Sequence, residues 1–251
     1  MNAGPIDCRL VIDDPSPGDW NMAVDEALLE RAAEAGSTSL RLYQWSEPTL
    51  SLGYFQLLAD RARHAASRDC PLVRRSSGGG AILHDRELTY SLALPSGQRL
   101  ARNAEELYLA AHAALIEALA TLGVAAGINR AASGLEQEEE PFLCFQRRAV
   151  GDVLVAGAKI AGSAQRRRRG AVLQHGSILL ETSPRAPELP GIEQCAGVRL
   201  TRADLERAWL PTLQARLGLE FHRQPLEAAE IERAGTLVAE KFGHPSWNER
   251  R

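Results

Sequence analysis

Residues 72–94 read LVRRSSGGGAILHDRELTYSLAL, and this stretch decides what kind of fold the chain makes. Two apolar, strand-like ends enclose Arg74, Arg75, Ser76, Ser77 and three consecutive glycines, Gly78, Gly79 and Gly80, with His84 and Asp85 close behind. Glycines weaken a strand, so three in a row are kept where the backbone needs positive φ, or where a ligand must lie against main-chain atoms that a Cβ would cover. Arginines beside such a loop suit an anionic or carbonyl-bearing ligand. A glycine run on its own reads first as a flexible hairpin turn flanked by solvated arginines, and only the rest of the chain overturns that. The stretch reads as strand, loop, strand, turn, strand.

Upstream, Cys8 to Ile12 forms a short strand, and turn residues lead to a helix from Asp19 to Ala35 that Asp19 can cap and Gly36 can end. Val24, Leu28 and Ala32 share one face of it and are core. Leu40 to Trp45 and Thr49 to Gly53 alternate as strands on either side of Glu47-Pro48, with Trp45 and Tyr54 as core or pocket wall. A helical segment from Leu57 to Ser67 completes this half.

Downstream, Asn103 stands three residues before Glu106 in a pairing of the capping-box kind. Leu107, Ala111, Leu115, Leu119 and Leu122 follow on one helical face, and Gly123 closes it. Asn129 to Pro141, crowded with Glu136, Glu138, Glu139 and Glu140, reads as a mobile surface loop. The segment FLCFQRRAVGDVLVAGAKIAGSAQRRRRGAVLQHGSILLE then alternates around Gly157 and Gly170, which predicts two hairpins. From Thr201 onward the chain is mainly helical, with Leu205, Ala208, Trp209 and Leu213 on one face and Ile231, Leu237 and Val238 in a final helix. Without repeats or a linker, residues 1–251 read as one domain.

The formal net charge of −3 disfavours a general nucleic-acid binder that relies on a basic surface. No apolar run approaches membrane-spanning length and the start carries acids and prolines, which points to the cytoplasm. Cys8, Cys70, Cys144 and Cys195 are scattered, with no CxxC pair to nominate a metal site, and nothing calls for a cofactor. Each cysteine is then a buried small hydrophobe or a reactive thiol.

Arg75 with the glycine run and His84, Cys144-Phe145, Lys159 in AKIAGSAQ and His175 in LQHGSILL together resemble the biotin and lipoate protein ligase superfamily. RRSSGGGAILHDRELTYS is similar to its signature loop and KIAGSAQRRRRGAVLQHGSILL to its second conserved block, while Lys241-Phe242 and Trp247-Asn248 resemble its closing segment. The fold this implies is α/β, a mixed, largely antiparallel sheet flanked by helices. Cysteine at position 144 resembles the LipM type of octanoyltransferase and the related amidotransferases. ATP-dependent lipoate ligases commonly carry Arg-Asn-Asp before the lysine block, where this chain has Gly151-Asp152. Gln146, Arg147 and Arg148 depart from the residues expected after Phe145.

The resemblance implies transfer of octanoyl from octanoyl-acyl carrier protein to a lysine of a lipoyl domain or of glycine cleavage H protein, by way of a thioester on Cys144. A nucleophilic cysteine of this kind needs positive charge nearby, which Lys159 can supply while polarising the acyl carbonyl. Gly78 to Gly80 would admit the acyl chain, and Gly162, with Ser163 and Ala164, would form the opposite wall. Arg75 would orient the carbonyl or the carrier's phosphopantetheine arm. Ser77, His84, His175 and Gly176 are expected to line the site, the histidines as structural hydrogen-bonding groups. Arg166 to Arg169 are either a solvated hairpin tip or a docking surface for an acidic partner. Cys195 is a competing nucleophile whose position resembles that of the LipB type, although the proline expected before it is missing. ATP-dependent ligation and non-catalytic lipoyl binding are the remaining alternatives.

Overall fold

The computed structural model describes residues 4–131 and 140–250. Its strands are β1 (Ile6–Ile12), β2 (Ser39–Tyr43), β3 (Thr49–Leu52), β4 (Leu72–Arg74), β5 (Ile82–His84) and β6 (Glu87–Leu94), then β7 (Ala126–Ile128), β8 (Val153–Val155), β9 (Ala158–Arg168), β10 (Ala171–Leu179) and β11 (Leu219–Arg223). Its helices are α1 (Gly18–Ala35), α2 (Arg99–Arg102), α3 (Ala104–Thr121), α4 (Ile192–Ala196), α5 (Arg202–Leu217), α6 (Ala228–Leu237) and α7 (Pro245–Asn248).

Among the described residues, eight strands form one sheet in the order β11-β1-β2-β6-β10-β9-β8-β7, and β4-β3-β5 form a second. In the large sheet β1 runs parallel to β2 and β11, and the other neighbours are antiparallel, the mixed, largely antiparallel arrangement expected. The two hairpins turn at Ala156-Gly157 and Arg169-Gly170, where both residues of each pair have positive φ. That backbone matches the twist of the flanking strands and explains why a glycine holds each second position.

Every residue of β6 is buried, so its alternation assigns faces. Leu88, Tyr90, Leu92 and Leu94 pack toward α3 and α5 with Leu107, Leu115, Trp209 and Leu213. Thr89, Ser91 and Ala93 point the other way, and Ala93 joins the cluster built on Val24, Leu28 and Ala32 of α1. The same alternation sends Arg41 of β2 and His175 of β10 to the α1 side, where each meets Asp25. The face under α1 therefore carries Arg41, Glu87 and His175 alongside its apolar cluster, while the face under α3 is mainly apolar.

Several expectations are corrected. Pro17, not Asp19, holds the N-cap of α1; Asp19 lies in the first turn and accepts from the Trp20 N–H at 2.7 Å. The strands on either side of Glu47-Pro48 exist but enter different sheets. Leu57 to Ser67 winds as two 3₁₀ turns, Leu58–Arg63 and Ala65–Ser67. In the final helix Leu237 is buried and Ile231 is 47% exposed. The short strands β7 and β11 had no sequence reading, and most of the acidic run, Glu136, Glu138 and Glu139 included, lies outside the described residues. Asn103 caps α3 through Oδ1, which accepts from the Glu106 N–H.

The closing segment does positional work. Asn248 Oδ1 accepts from the Arg74 N–H at 2.9 Å, and Trp247 Nε1 donates to the Arg74 carbonyl at 2.9 Å, so α7 clamps the strand that enters the glycine loop.

Trp209 is fully buried, edge-on to Tyr90 at 5.0 Å, and its indole N–H has no hydrogen-bond partner among the described residues. Trp209→Ala is expected to cost about 3–5 kcal/mol in equilibrium denaturation. Trp209→Phe should lose less than half as much, because it removes the unpartnered N–H together with part of the ring.

Candidate active site

The loop between β4 and β5 is anchored from both sides. The Tyr54 N–H donates to the Ser77 carbonyl at 2.9 Å. Arg75 is buried and turns its guanidinium onto Ser51 O (3.0 Å), Ser51 Oγ (2.5 Å), Gly78 O (3.3 Å) and Gly80 O (2.9 Å). It is thus committed to the loop's own carbonyls, where sequence reading had it orient a substrate carbonyl or pantetheine arm. Burial pulls its pKa down to about 10. Its charge is balanced through a relay, since Ser51 Oγ lies 2.7 Å from His84 Nε2, and His84 Nδ1 lies 2.6 Å from Glu87 Oε1. His84 stacks on Trp45 with centroids 3.8 Å apart, and burial lowers its pKa.

Cys144 is stitched to this loop by main chain. The Ala81 N–H donates to Phe142 O at 3.0 Å and the Cys144 N–H to Ala81 O at 2.7 Å. Across from it, Lys159 of β9 brings Nζ to 3.7 Å from Cys144 Sγ and 3.5 Å from Cys144 O. Asp152 sets that position, because its Oδ2 pairs with Nζ at 2.9 Å, while it also accepts from Tyr108 (2.8 Å) and the Ala149 N–H (2.7 Å). A Cβ on Gly162 would fall 2.6 Å from Lys159 Cε and 2.9 Å from its Nζ. Glycine there is what leaves the lysine room to lie flat toward the sulfur.

An apolar cavity opens beside Cys144. Met22, Trp45, Ile82 and Phe145 line it, together with the expected Arg75, Gly78, Gly79, His84, Gly162, Ser163, Ala164, His175 and Gly176. Ser77 lines an adjoining, more polar cleft with Glu26, Ser76, Arg166 and Arg168, and the two hollows share Met22 and His175. Gly80 packs behind Cys144, where its Cβ would sit 3.2 Å from the cysteine Cα, and Lys159 borders the cavity at Cys144, Gly162 and Phe145.

Behind Gly162 a chain of polar groups has one consistent sense. Gln174 Nε2 donates to Tyr90 O–H (2.8 Å), Tyr90 to Ser163 Oγ (2.7 Å), Ser163 to His112 Nε2 (2.7 Å), and His112 Nδ1–H to the Gly151 carbonyl (2.7 Å). A carbonyl can only accept, and that fixes the rest. Burial pushes the His112 pKa down to about 4, so its ring stays neutral as the chain requires.

Cys195 has no such surroundings. It lies in α4, packs against the main apolar cluster, and burial raises its pKa. Of the four arginines, Arg166, Arg167 and Arg169 are exposed at the hairpin tip and Arg168 is half-buried. Arg168 pairs with Glu30 at 3.1 Å, Arg169 with Glu34 at 3.4 Å, Arg167 donates to Ala101 O at 2.8 Å, and Arg166 lies over the Tyr54 ring. Among the described residues, no group of three or more His, Cys, Asp or Glu is arranged to hold a metal ion. No helix among them is long and apolar enough to cross a membrane. Sequence reading missed Asp25, Glu87 and His112, and treated Asp152 only as half of a departure from the ligase pattern.

The family model of the lipoyl protein ligase A/B catalytic domain matches residues 17–188. "Octanoyltransferase LipM" of Kyrpidia tusciae is 34% identical over 92% of this chain and 94% of its own, and that of Symbiobacterium thermophilum 32% over 97% and 98%. The chain belongs to this family, on its LipM octanoyltransferase branch. Solved relatives agree in fold. A chain from the study of a bipartite lipoate protein ligase and its E2 lipoyl domain from Thermoplasma acidophilum superposes with a TM-score of 0.75 at 19% identity, covering 98% of this chain and 97% of that one. A lipoate-protein ligase A bound with ATP gives 0.76 at 20%, covering 97% and 99%. The biotin and lipoate protein ligase fold expected from the motifs is the fold found.

Two outcomes follow from this geometry. Gly162→Ala is expected to keep the fold, because the clash is with the far end of a flexible side chain. It should slow alkylation of Cys144 by iodoacetamide on the order of 10-fold as the ammonium is pushed off the sulfur. Neutral burial of His112 makes stability fall with acid: the unfolded chain takes up a proton near pH 6.5 and the folded one only near 4. Between those values the loss should reach on the order of 3 kcal/mol, with His84 adding in the same sense. Denaturation at pH 7 and pH 5 should show the decline, and His112→Gln should flatten it.

Proposed function

We propose that the chain transfers an octanoyl group from octanoyl-acyl carrier protein to a lysine of a lipoyl-domain protein or glycine cleavage H protein. The intermediate is a thioester on Cys144, and residues 1–251 act as one catalytic unit in the cytoplasm. The Cys144 thiolate attacks the carrier thioester, a new C–S bond forms, the carrier's C–S bond breaks and its thiolate leaves. The acceptor amine then attacks the enzyme thioester, the C–N bond forms and Cys144 is expelled as thiolate. The observation that carries this reading is Lys159 Nζ at 3.7 Å from Cys144 Sγ, held by Asp152. The ammonium balances charge on the sulfur in both exchanges, and a positive group this close stabilises a developing oxyanion. The apolar wall of Met22, Trp45, Ile82 and Phe145 suits an unbranched acyl chain.

Octanoyl carrier protein alone, without acceptor or ATP, is expected to leave one octanoyl group on Cys144, seen by intact mass and released by hydroxylamine. Cys144→Ala should abolish adduct and transfer, Cys195→Ala should leave both near the parent level, and Lys159→Ala should slow both exchanges about 100-fold or more. An adduct on Cys195 would overturn the assignment, and a requirement for ATP and free octanoate would replace it with ligation.

A further inference from the structure

The apolar cavity and the polar cleft meet at His175, and three side chains there stand in a line. Ser77 Oγ lies 2.5 Å from His175 Nε2, and His175 Nδ1 faces Asp25 Oδ2 at 3.4 Å. All three are buried, and they come from different parts of the fold: the glycine loop, β10 and α1.

The tautomer is set by what each nitrogen meets. Asp25 accepts from Tyr43 O–H (2.9 Å), Ser91 (2.7 Å) and Arg41 (3.0 Å). Burial alone would raise the pKa of Asp25, but His175 and Arg41 outweigh it and hold the carboxyl below its usual range. A carboxylate opposite Nδ1 keeps the proton on that nitrogen. Nε2 is then an acceptor, and Ser77 must donate to it. The Ser77 oxygen is left with lone pairs, and the residue lines the cleft shared with Arg166, Arg168 and Glu26.

The two exchanges on Cys144 differ in one respect that matters here. In the first, a thiolate replaces a thiolate and no proton has to leave the nucleophile. In the second, a neutral lysine amine attacks, and its nitrogen must lose a proton before a stable amide exists. Lys159 is poorly placed to take it, since Asp152 holds its Nζ at 2.9 Å.

Resting on the Cys144 reading above, the geometry points to Ser77, His175 and Asp25 as the proton relay of the amine-transfer step. As the C–N bond forms and the C–S bond breaks, the electron pair leaves on Cys144 Sγ. The amine proton passes to Ser77 Oγ while the Ser77 proton moves to His175 Nε2, and Asp25 balances the resulting imidazolium. The proton then returns to solvent through the polar cleft. One relay serves one half of the reaction, which is why its effect is separable.

The test uses the full chain and two measured rates, loading of Cys144 from octanoyl carrier protein and, after removal of donor, discharge to a lipoyl-domain protein. His175→Gln is expected to lower the ratio of discharge to loading by about 100-fold, the usual contribution of a positioned base. Discharge by hydroxylamine, whose small, weakly basic nitrogen can give its proton directly to water, should keep the parent rate. If His175→Gln yields no soluble protein, Ser77→Ala takes its place, with the same ratio expected to fall at least about 10-fold. An unchanged ratio, or hydroxylamine discharge slowed as much as lysine transfer, would overturn the relay while leaving the Cys144 thioester intact. Absence of any Cys144 adduct in the parent enzyme would overturn both.

Discussion

The fully buried guanidinium of Arg41 sets the terms for the rest of this molecule. A cation without water must bring its own acceptors, and leaving even one partner out is strongly destabilising. Arg41 is met by Asp13 Oδ2 (2.7 Å), Asp25 Oδ1 (3.0 Å), Asn21 O (3.1 Å) and Asn21 Oδ1 (2.8 Å). Those groups fix α1 over β2. Through Ser91 and His175 the same carboxylate reaches β6 and β10, and through Ser77 it reaches the glycine loop. The register of helix, sheet and loop is thus specified by charge satisfaction as much as by apolar packing.

Two other buried cations repeat the principle on smaller scales. Arg75 is balanced by Glu87 across Ser51 and His84, which joins the small sheet to the large one, with Thr89 and Ser177 also donating to Glu87 Oε1. Lys159 is balanced by Asp152, itself held by α3 through Tyr108. Each pair fixes the orientation of its elements where apolar packing alone would permit sliding. Cys144 lies where the last two systems meet, its main chain bonded to the loop that Arg75 holds and its sulfur facing Lys159.

What could be read from the sequence follows the range of the interactions. Strand alternation in β6, the glycine turns of the two hairpins and the Asn103 cap of α3 are local, and each was legible. So was the site's outline, because Cys144, Lys159 and the glycine run lie in two compact blocks. Asp25 was hidden on a helix whose apolar neighbours explained its burial, and nothing local says that Arg41 and His175 converge on it from two strands. Strand β11 is five residues long with a mostly exposed pattern, and only its parallel pairing to β1, more than two hundred residues earlier, makes it a strand. Strand β3 alternates as well as β2 does, and its departure to another sheet is decided by β4 and β5.

The clamp of α7 on Arg74 bears on the order in which the molecule can be made. A chain emerging N-terminus first at about 5–20 residues per second presents the glycine loop roughly 10–35 s before Trp247 and Asn248 exist to hold its base. The Ile6 to Leu10 edge waits longer still for Leu219 to Arg223. Contacts this distant in sequence form late and close a largely assembled body. A nascent chain interrupted short of Trp247 already carries Cys144, Lys159 and the glycine loop and still lacks the two contacts that hold Arg74 at the base of that loop.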